Sequence, residues 1–548
     1  MTARRASGLL FASFLGSLVG LSALAFERAL LGGRLRLDAA AGYVLLGGVL
    51  GALGRFISGP SASAGGIIGP IATVAVFVSV HLLYFINVRL LPGENYRSMK
   101  SLGIDLLVVA AVISLAVAVG RTSMAQAARV RWRTPSSWSG AILLLAATGV
   151  LLGSGRGRTA ALQRYGLGPN LLLVVLDSAR SDRMGWQGNQ SGVSRELDGF
   201  AARGRLFENT YAASSWTVPS VVRLLGWDAA APESGLASRL AARGYTTACF
   251  SDNPHMTSDA SLLQGFDVVV RSVSQRRHVF RSTVVGEVLE RLDPGNDRRL
   301  VDRAIAWAAT APQPFFIYVH LMDSHTPYRH APLDGRPRGG RRIEYPMSGM
   351  SMTEEEMESV RARYDGGVRS ASVQAARLLD AAAGWQRPFM AGVTADHGES
   401  LGEAGRWFHG GSLAPELLAI PLFLVGDGVV SGRVDGPVGH DAVRMTLLAA
   451  VGEIPAGSQD DLRSGQGSGL VLGTLPPNFT YRIAAGYKAV RDARDGSRVF
   501  FDLRSDPLES HPLLSPVTRE KVHDAGGVVP ALPPSEVSER LRSLGYLR

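Results

Sequence analysis

The sequence predicts an α/β fold around a mostly parallel β-sheet, preceded by an α-helical membrane module of about five transmembrane helices. Three observations carry this expectation. Apolar residues make up 46% of the 548-residue chain, and their excess is concentrated before residue 154. Beyond that point short apolar runs alternate with amphipathic helical patterns. The run NLLLVVL, residues 170–176, is apolar at every position after its first, as a strand covered on both faces requires.

The apolar stretches of the first part are residues 7–26, 39–54, 64–87, 103–120 and 138–153. A helix crossing the hydrocarbon core needs about 20 such residues. The first, third and fourth meet that length, and the second and fifth are short but usable. A cleaved signal peptide would end after one stretch. Residues 1–155 therefore read as a transmembrane module and 156–168 as a polar linker. The loop 121–137 holds Arg121, Arg129, Arg131 and Arg133 with no acid, which places it in the cytoplasm. An odd number of helices then puts everything after residue 154 on the other side. The expected location is a bacterial cell membrane, multi-pass, with the soluble domain extracytoplasmic.

Formal net charge is +10, with only three lysines, Lys100, Lys488 and Lys521. The arginines fall in short pairs without a base-reading motif, so nucleic acid is not an expected partner. A basic balance suits an anionic membrane surface or an anionic substrate. The single cysteine, Cys249, excludes an intrachain disulfide and a cysteine-based zinc site. It lies in the strand-like TTACFSD and reads as a small buried hydrophobe.

After NLLLVVLD come the strand-like runs TTACFSD, FDVVV, PFFIYVHLMD, PFMAGVTADHG and IPLFLVGDG. Helical patterns such as RLVDRAIAWAAT and RSASVQAARLLDAAAG separate them. This alternation predicts a largely parallel sheet, whose ligands sit outside the carboxyl ends of the strands. Acids and imidazoles fall at those ends: Asp177 after the first run, His320, Asp323 and His325 around the fourth, Asp396 and His397 after the fifth. Together they form an oxygen- and nitrogen-rich set suited to Zn, Mn or Mg. SWTVPS, residues 215–220, places Thr217 before a helix that Ser220 is expected to cap. A helix N-terminus favours an anion, and a metal on the threonine oxygen would turn it into a nucleophile.

Several stretches, taken in order, resemble the sulfatase-like branch of the alkaline phosphatase superfamily. They are NLLLVVLDSARSDRMG, SWTVPS, GYTTACFSDNP, PFFIYVHLMDSHTPY, YDGGVRSASVQAARLLD, TADHGESLGEAG, FHGGSL, IPLFLVGDG, FDLRSDPLES and LRSLGYL, and they cover roughly 168–548. With its membrane module the chain also resembles the phosphoglycerol and phosphoethanolamine transferases of bacterial envelopes.

The resemblance implies an alkaline-phosphatase-like sandwich with a catalytic domain over 169–455, and the sequence adds a C-terminal subdomain over 470–548, a short antiparallel sheet with a helix. It implies Asp177, Thr217, Asp396 and His397 as metal ligands and Thr217 as nucleophile. His325 and His409 match positions that contact the transferred anion and serve catalysis. His320, Arg223 and Asp323 are assigned to the substrate, with His320 also in reach of an outer role around the metal. One divalent ion (Mn, Mg, Ca or Zn) is expected, and Asp323 with His325 could hold a second. Threonine cannot become formylglycine, because its β-carbon carries a methyl group. The family's motif arginine falls at Val221, with Arg223 nearby.

The expected activity is hydrolysis of sulfate or phosphate esters through a covalent threonine ester. The alternatives are an envelope transferase moving a phospho-head-group to lipid or glycan, and a non-catalytic membrane scaffold. The substrate is an anionic ester, with lipid- and glycan-linked ones among the candidates.

Overall fold

The computed structural model describes residues 167–513 except 229, 257–260, 273–295, 336–342, 344–345, 347–349 and 512. The five expected membrane segments, and the helix expected near the end of the chain, lie outside the described residues. Among the described residues no helix is long and apolar enough to cross a membrane.

In chain order the strands are β1 (Asn170–Leu176), β2 (Arg205–Phe207), β3 (Thr210–Tyr211), β4 (Thr246–Ser251), β5 (Val268–Val270) and β6 (Phe315–Leu321). Then come β7 (Phe389–Thr394), β8 (Ser400–Leu401), β9 (Trp407–Phe408), β10 (Leu422–Gly426), β11 (Gly432–Val434) and β12 (Val438–Gly439). The last are β13 (Leu470–Leu475), β14 (Phe479–Ala484), β15 (Tyr487–Asp492) and β16 (Arg498–Asp502). The α-helices are α1 (Arg195–Arg203), α2 (Thr217–Leu225), α3 (Leu236–Ala242), α4 (Asp297–Ala308), α5 (Glu354–Ala382), α6 (Pro415–Leu418) and α7 (His440–Ala450).

Eight strands form one sheet in the order β11-β2-β10-β7-β1-β6-β4-β5. β7, β1, β6, β4 and β5 run parallel, and β11 runs parallel to β2. β10 is antiparallel to both its neighbours. The fold is the expected mixed α/β arrangement with a mostly parallel sheet.

β1 shows why its run is uninterrupted. Leu172, Val174 and Leu176 pack with Leu197 of α1, Leu300 of α4 and Leu379 of α5. Leu171, Leu173 and Val175 point the other way, to Val221 of α2, Leu240 of α3 and Leu447 of α7. Successive residues of a strand face opposite sides, so helices on both faces demand apolar side chains throughout. Each such leucine contributes about 1.5–3 kcal/mol of burial. Cys249 sits fully buried on β4 among these hydrophobes, and burial pushes its thiol up.

The strand tips are level. Leu176 pairs with Leu321 and Val175 with Thr394. The Asp177 N–H then donates to the Leu321 carbonyl at 2.9 Å. Asp177, the residues after β6 and Asp396 therefore emerge together at one edge of a rigid sheet.

α2 starts earlier than the sequence suggests. Its first residue is Thr217, after an extended Trp216, and Ser220 does not cap it. The Ser220 hydroxyl instead folds back on Ser214, donating to its carbonyl at 3.0 Å and accepting its N–H at 3.1 Å. Pro219 is tolerated because the first turn has no carbonyl partner for its missing N–H.

β13 to β16 make a four-stranded antiparallel sheet. It is fastened to the loop before α2: Thr474 N–H donates to the Ala213 carbonyl at 2.7 Å, and Tyr481 O–H to the Ala212 carbonyl.

Candidate active site

Asp177 is fully buried. Its Oδ2 accepts from Asn253 Nδ2 at 2.9 Å and lies 2.8 Å from His320 Nε2. An anionic acceptor there puts the His320 proton on Nε2, so Nδ1 takes the Tyr318 O–H at 2.8 Å. Oδ2 is thus supplied by two donors. Oδ1 accepts only the Ser178 hydroxyl at 2.9 Å and lies 3.9 Å from His397 Nε2.

Asp396 is arranged in the same way. Its Oδ1 takes the backbone N–H groups of Ser178 at 3.1 Å and His397 at 2.9 Å. Its Oδ2 is buried without a hydrogen-bond partner. It stands 3.4 Å from His397 Nε2 and 3.8 Å from His320 Nε2. The His397 Nδ1–H donates to the Gly398 carbonyl at 2.8 Å, which leaves Nε2 with its lone pair. That nitrogen is 3.2 Å from Thr217 Oγ1. The structure thereby brings Thr217, Asp177, Asp396, His397 and His320 together.

The turn after β1 is shaped for this. Ser178 has a positive φ of 60°, costly for a residue other than glycine. Tyr364 of α5 holds it by donating to the Ser178 carbonyl at 2.8 Å. His440, at the start of α7, pins the two functional loops to each other. Its Nε2–H donates to the Ala395 carbonyl at 3.0 Å, and its Nδ1 accepts the Ala213 N–H at 3.3 Å. Burial holds His440 below its usual range, consistent with a neutral ring in that role.

The remaining expected residues divide. His409 stacks on Phe408, with ring centroids 3.9 Å apart, and lies 4.3 Å from the His397 ring and 5.0 Å from that of His325. These three imidazoles line one side of the site. Asp323 turns instead to Ser370 of α5 at 2.6 Å and to His330 at 3.4 Å. The pair expected to share a second metal therefore faces different neighbours. Arg223 ion-pairs with Asp441 of α7, so its guanidinium is engaged there.

Electrostatics follow burial and proximity. Burial pushes the Asp177 carboxyl up, but His325, His320 and His397 outweigh it and hold the group well below the carboxylate range. Burial lowers His320, and the bond to Asp177 more than restores it, so its pKa is raised. Burial, then the His397 and His325 rings, holds His409 well below its usual range.

Among the described residues, Asp177, His320 and Asp396 form the group of acids and imidazoles dense enough for a metal ion. A divalent cation fits. The unpartnered Asp396 Oδ2 is a buried acceptor that is costly to leave bare, and His397 Nε2 offers a lone pair beside it. Carboxylate oxygen with imidazole nitrogen suits Mn, Mg or Zn better than a soft ion. Asp177, Asp396, His397 and the Thr217 oxygen would hold it. His320, whose Nε2–H goes to Asp177, orients that ligand from outside.

The description of the Sulfatase family matches residues 169–453, more than half of the 548 residues. The chain belongs to the sulfatase family. That family lies within the alkaline phosphatase superfamily, as the motifs imply. A low-salt glycan biosynthesis sulfotransferase, Agl7, of Haloferax volcanii is 28% identical over 146 residues, which is 25% of this chain and 34% of that protein. The match thus spans about a third of the relative's length. Among solved structures, the phosphonate monoester hydrolase of Agrobacterium radiobacter superposes with a TM-score of 0.49 at 17% identity, over 69% of this chain and 95% of that one. A 2-O GAG sulfatase gives 0.49 at 17% identity, over 65% and 89%. Family membership rests on the family match rather than on these superpositions.

Sequence reasoning did not assign Asn253, Tyr318, Glu399, Tyr328, Tyr364 or His440. Tyr318 was within reach, since it lies two residues before His320 and so on the same strand face. Asn253, Glu399, Tyr328 and Tyr364 lie inside motifs quoted above, with nothing local to say what each one touches. His440 carries no motif at all.

Proposed function

We propose that this sulfatase-family protein is a metal-dependent hydrolase of sulfate or phosphate esters that works through a covalent ester on Thr217. The observation that carries the reading is the Thr217 hydroxyl at the first residue of α2, 3.2 Å from His397 Nε2 and beside the buried Asp177–Asp396 pair. A bound divalent cation would lower the threonine pKa and screen the anionic oxygens of the ester. With such a cation held by Asp177, Asp396 and His397, the Thr217 hydroxyl proton would pass to solvent, leaving Oγ1 as the attacking atom. Thr217 Oγ1 forms a bond to phosphorus or sulfur as the bond to the leaving oxygen breaks. His325 hands that oxygen a proton, and His409 contacts the anion. The positive end of α2 favours the equatorial oxygens. Water then attacks the threonine ester and frees the hydroxyl.

A second reading replaces that water with an alcohol on a lipid or glycan. Two observations favour it: the partial likeness to a glycan sulfotransferase, and the five apolar segments that would tie the domain to a membrane. In both readings the domain stands outside the cytoplasm of a bacterial cell. The non-catalytic alternative loses weight beside an unpaired Asp396 Oδ2 and a threonine held against His397.

The test is turnover by the full-length chain in detergent with Mn, Mg, Zn or Ca. Substrates are nitrophenyl sulfate, nitrophenyl phosphate and bis-nitrophenyl phosphate, with Thr217→Ala and Asp396→Ala as controls. Metal-dependent turnover lost in both variants supports the reading. Stoichiometric metal without turnover favours transfer to an alcohol. Turnover surviving in Thr217→Ala rejects the threonine ester.

A further inference from the structure

β8 and β9 form a short ribbon whose mouth carries a carboxylate and an imidazole side by side. Glu399 precedes β8, His409 follows β9, and Ser400 pairs with Phe408 between them. Glu399 is fully buried. Its Oε1 lies 3.0 Å from His409 Nδ1, and its Oε2 accepts the Tyr328 O–H at 2.8 Å. Its backbone carbonyl accepts from Arg180 at 3.0 Å. On the other side Phe408 adopts a positive φ of 73° and stacks its ring on His409. Such a conformation persists only where the surroundings enforce it. The next residue, Gly410, donates its N–H to the Ser215 carbonyl at 2.8 Å, two residues from the threonine.

The contact at Nδ1 fixes the plane of the ring and leaves its Nε2 edge for another partner. With Tyr328 saturating the second oxygen, Glu399 has no freedom to swing away. We infer that Glu399 is a positioning residue, braced by Tyr328, that fixes the ring orientation of His409 so that its Nε2 edge faces the transferred anion. The inference rests on the proposed role of His409 as an anion contact and adds the residues that aim it.

The test is orthophosphate binding to the full-length, Mn-loaded chain by titration calorimetry. Glu399→Ala weakens phosphate about tenfold or more, the range seen when the partner of a functional imidazole is removed, while Mn stoichiometry is unchanged. Glu399→Gln keeps a hydrogen-bonding partner for Nδ1 and restores most of the affinity. In a His409→Ala background, Glu399→Ala costs nothing further, an outcome that mere loss of packing would not produce. Wild-type affinity in Glu399→Ala, additive losses in the double variant, or no phosphate binding by the wild type overturns the inference. The turnover test of Thr217→Ala is a separate measurement, so the covalent reading and this one fail independently.

Discussion

The eight-stranded sheet and the four-stranded sheet hold the site in different ways. β1 is buried at all seven positions, whereas β13 alternates between half-buried and buried residues. The first is a sandwich between helices, and its rigidity is what keeps the tips at Asp177 and Asp396 level. The second presents one face to the domain and works through polar fastenings. Lys488 of β15, fully buried, donates to the Leu413 carbonyl at 2.6 Å and to both oxygens of Glu509 at 2.7 and 2.6 Å. That bond anchors the segment that leads from His409 into α6. Apolar burial places the acids, and a buried ion pair braces the imidazole loop.

The largest expected effect is at the strand tips. Thr217→Ala or Asp396→Ala lowers kcat on the order of 10^3-fold or more, as removal of a nucleophile or its activator does. A steady-state assay with a melting scan separates this from unfolding. Next come the two modes of holding. Lys488→Ala leaves Glu509 without its partner and costs about 3–5 kcal/mol in denaturant unfolding. Leu173→Ala opens a cavity between β1 and the helices and costs about 2–5 kcal/mol. If Lys488→Ala were neutral, the second sheet would not be fastened by its ion pair.

Metal removal sharpens the contrast further. Chelation leaves Asp396 Oδ2 bare, so Tm falls by several degrees and returns with Mn. A pH effect follows from Glu399, whose carboxyl burial pushes up to about 7. Between the ordinary value of 4.5 and about 7 this carboxyl keeps in the folded state a proton that it has lost in the unfolded one. The contribution of Glu399 to the stability of the metal-free chain therefore falls as pH rises through that window, and Glu399→Gln removes that contribution. The smallest effect belongs to half-buried positions of the outer sheet: Leu472→Ala shifts stability by about 1 kcal/mol or less.

Much of this was legible in the sequence for a physical reason. A strand buried on both faces has to be apolar at nearly every position, so β1, β6 and β7 announce themselves; Asp177 and Asp396 follow the ends of β1 and β7, and His320 is the last residue but one of β6. The adjacency of Asp396 and His397 survives as two groups facing one centre. Less visible were interactions set by long loops. Nothing around Asp323 says that it turns to Ser370, or around Arg223 that Asp441 engages it. The start of α2 was misplaced because a serine after proline looks like a cap, while the backbone of Ser214 competes for its hydroxyl.

The central claim is that Thr217 carries the transferred group. It is tested most directly by acid-quenching the metal-loaded chain during turnover of bis-nitrophenyl phosphate or nitrophenyl sulfate, digesting it and weighing the peptide that contains residues 215–220. The account predicts a phosphoryl or sulfuryl adduct on Thr217 that is absent from Thr217→Ala. Continued turnover with an unmodified Thr217 peptide, or an adduct on another residue, would contradict it.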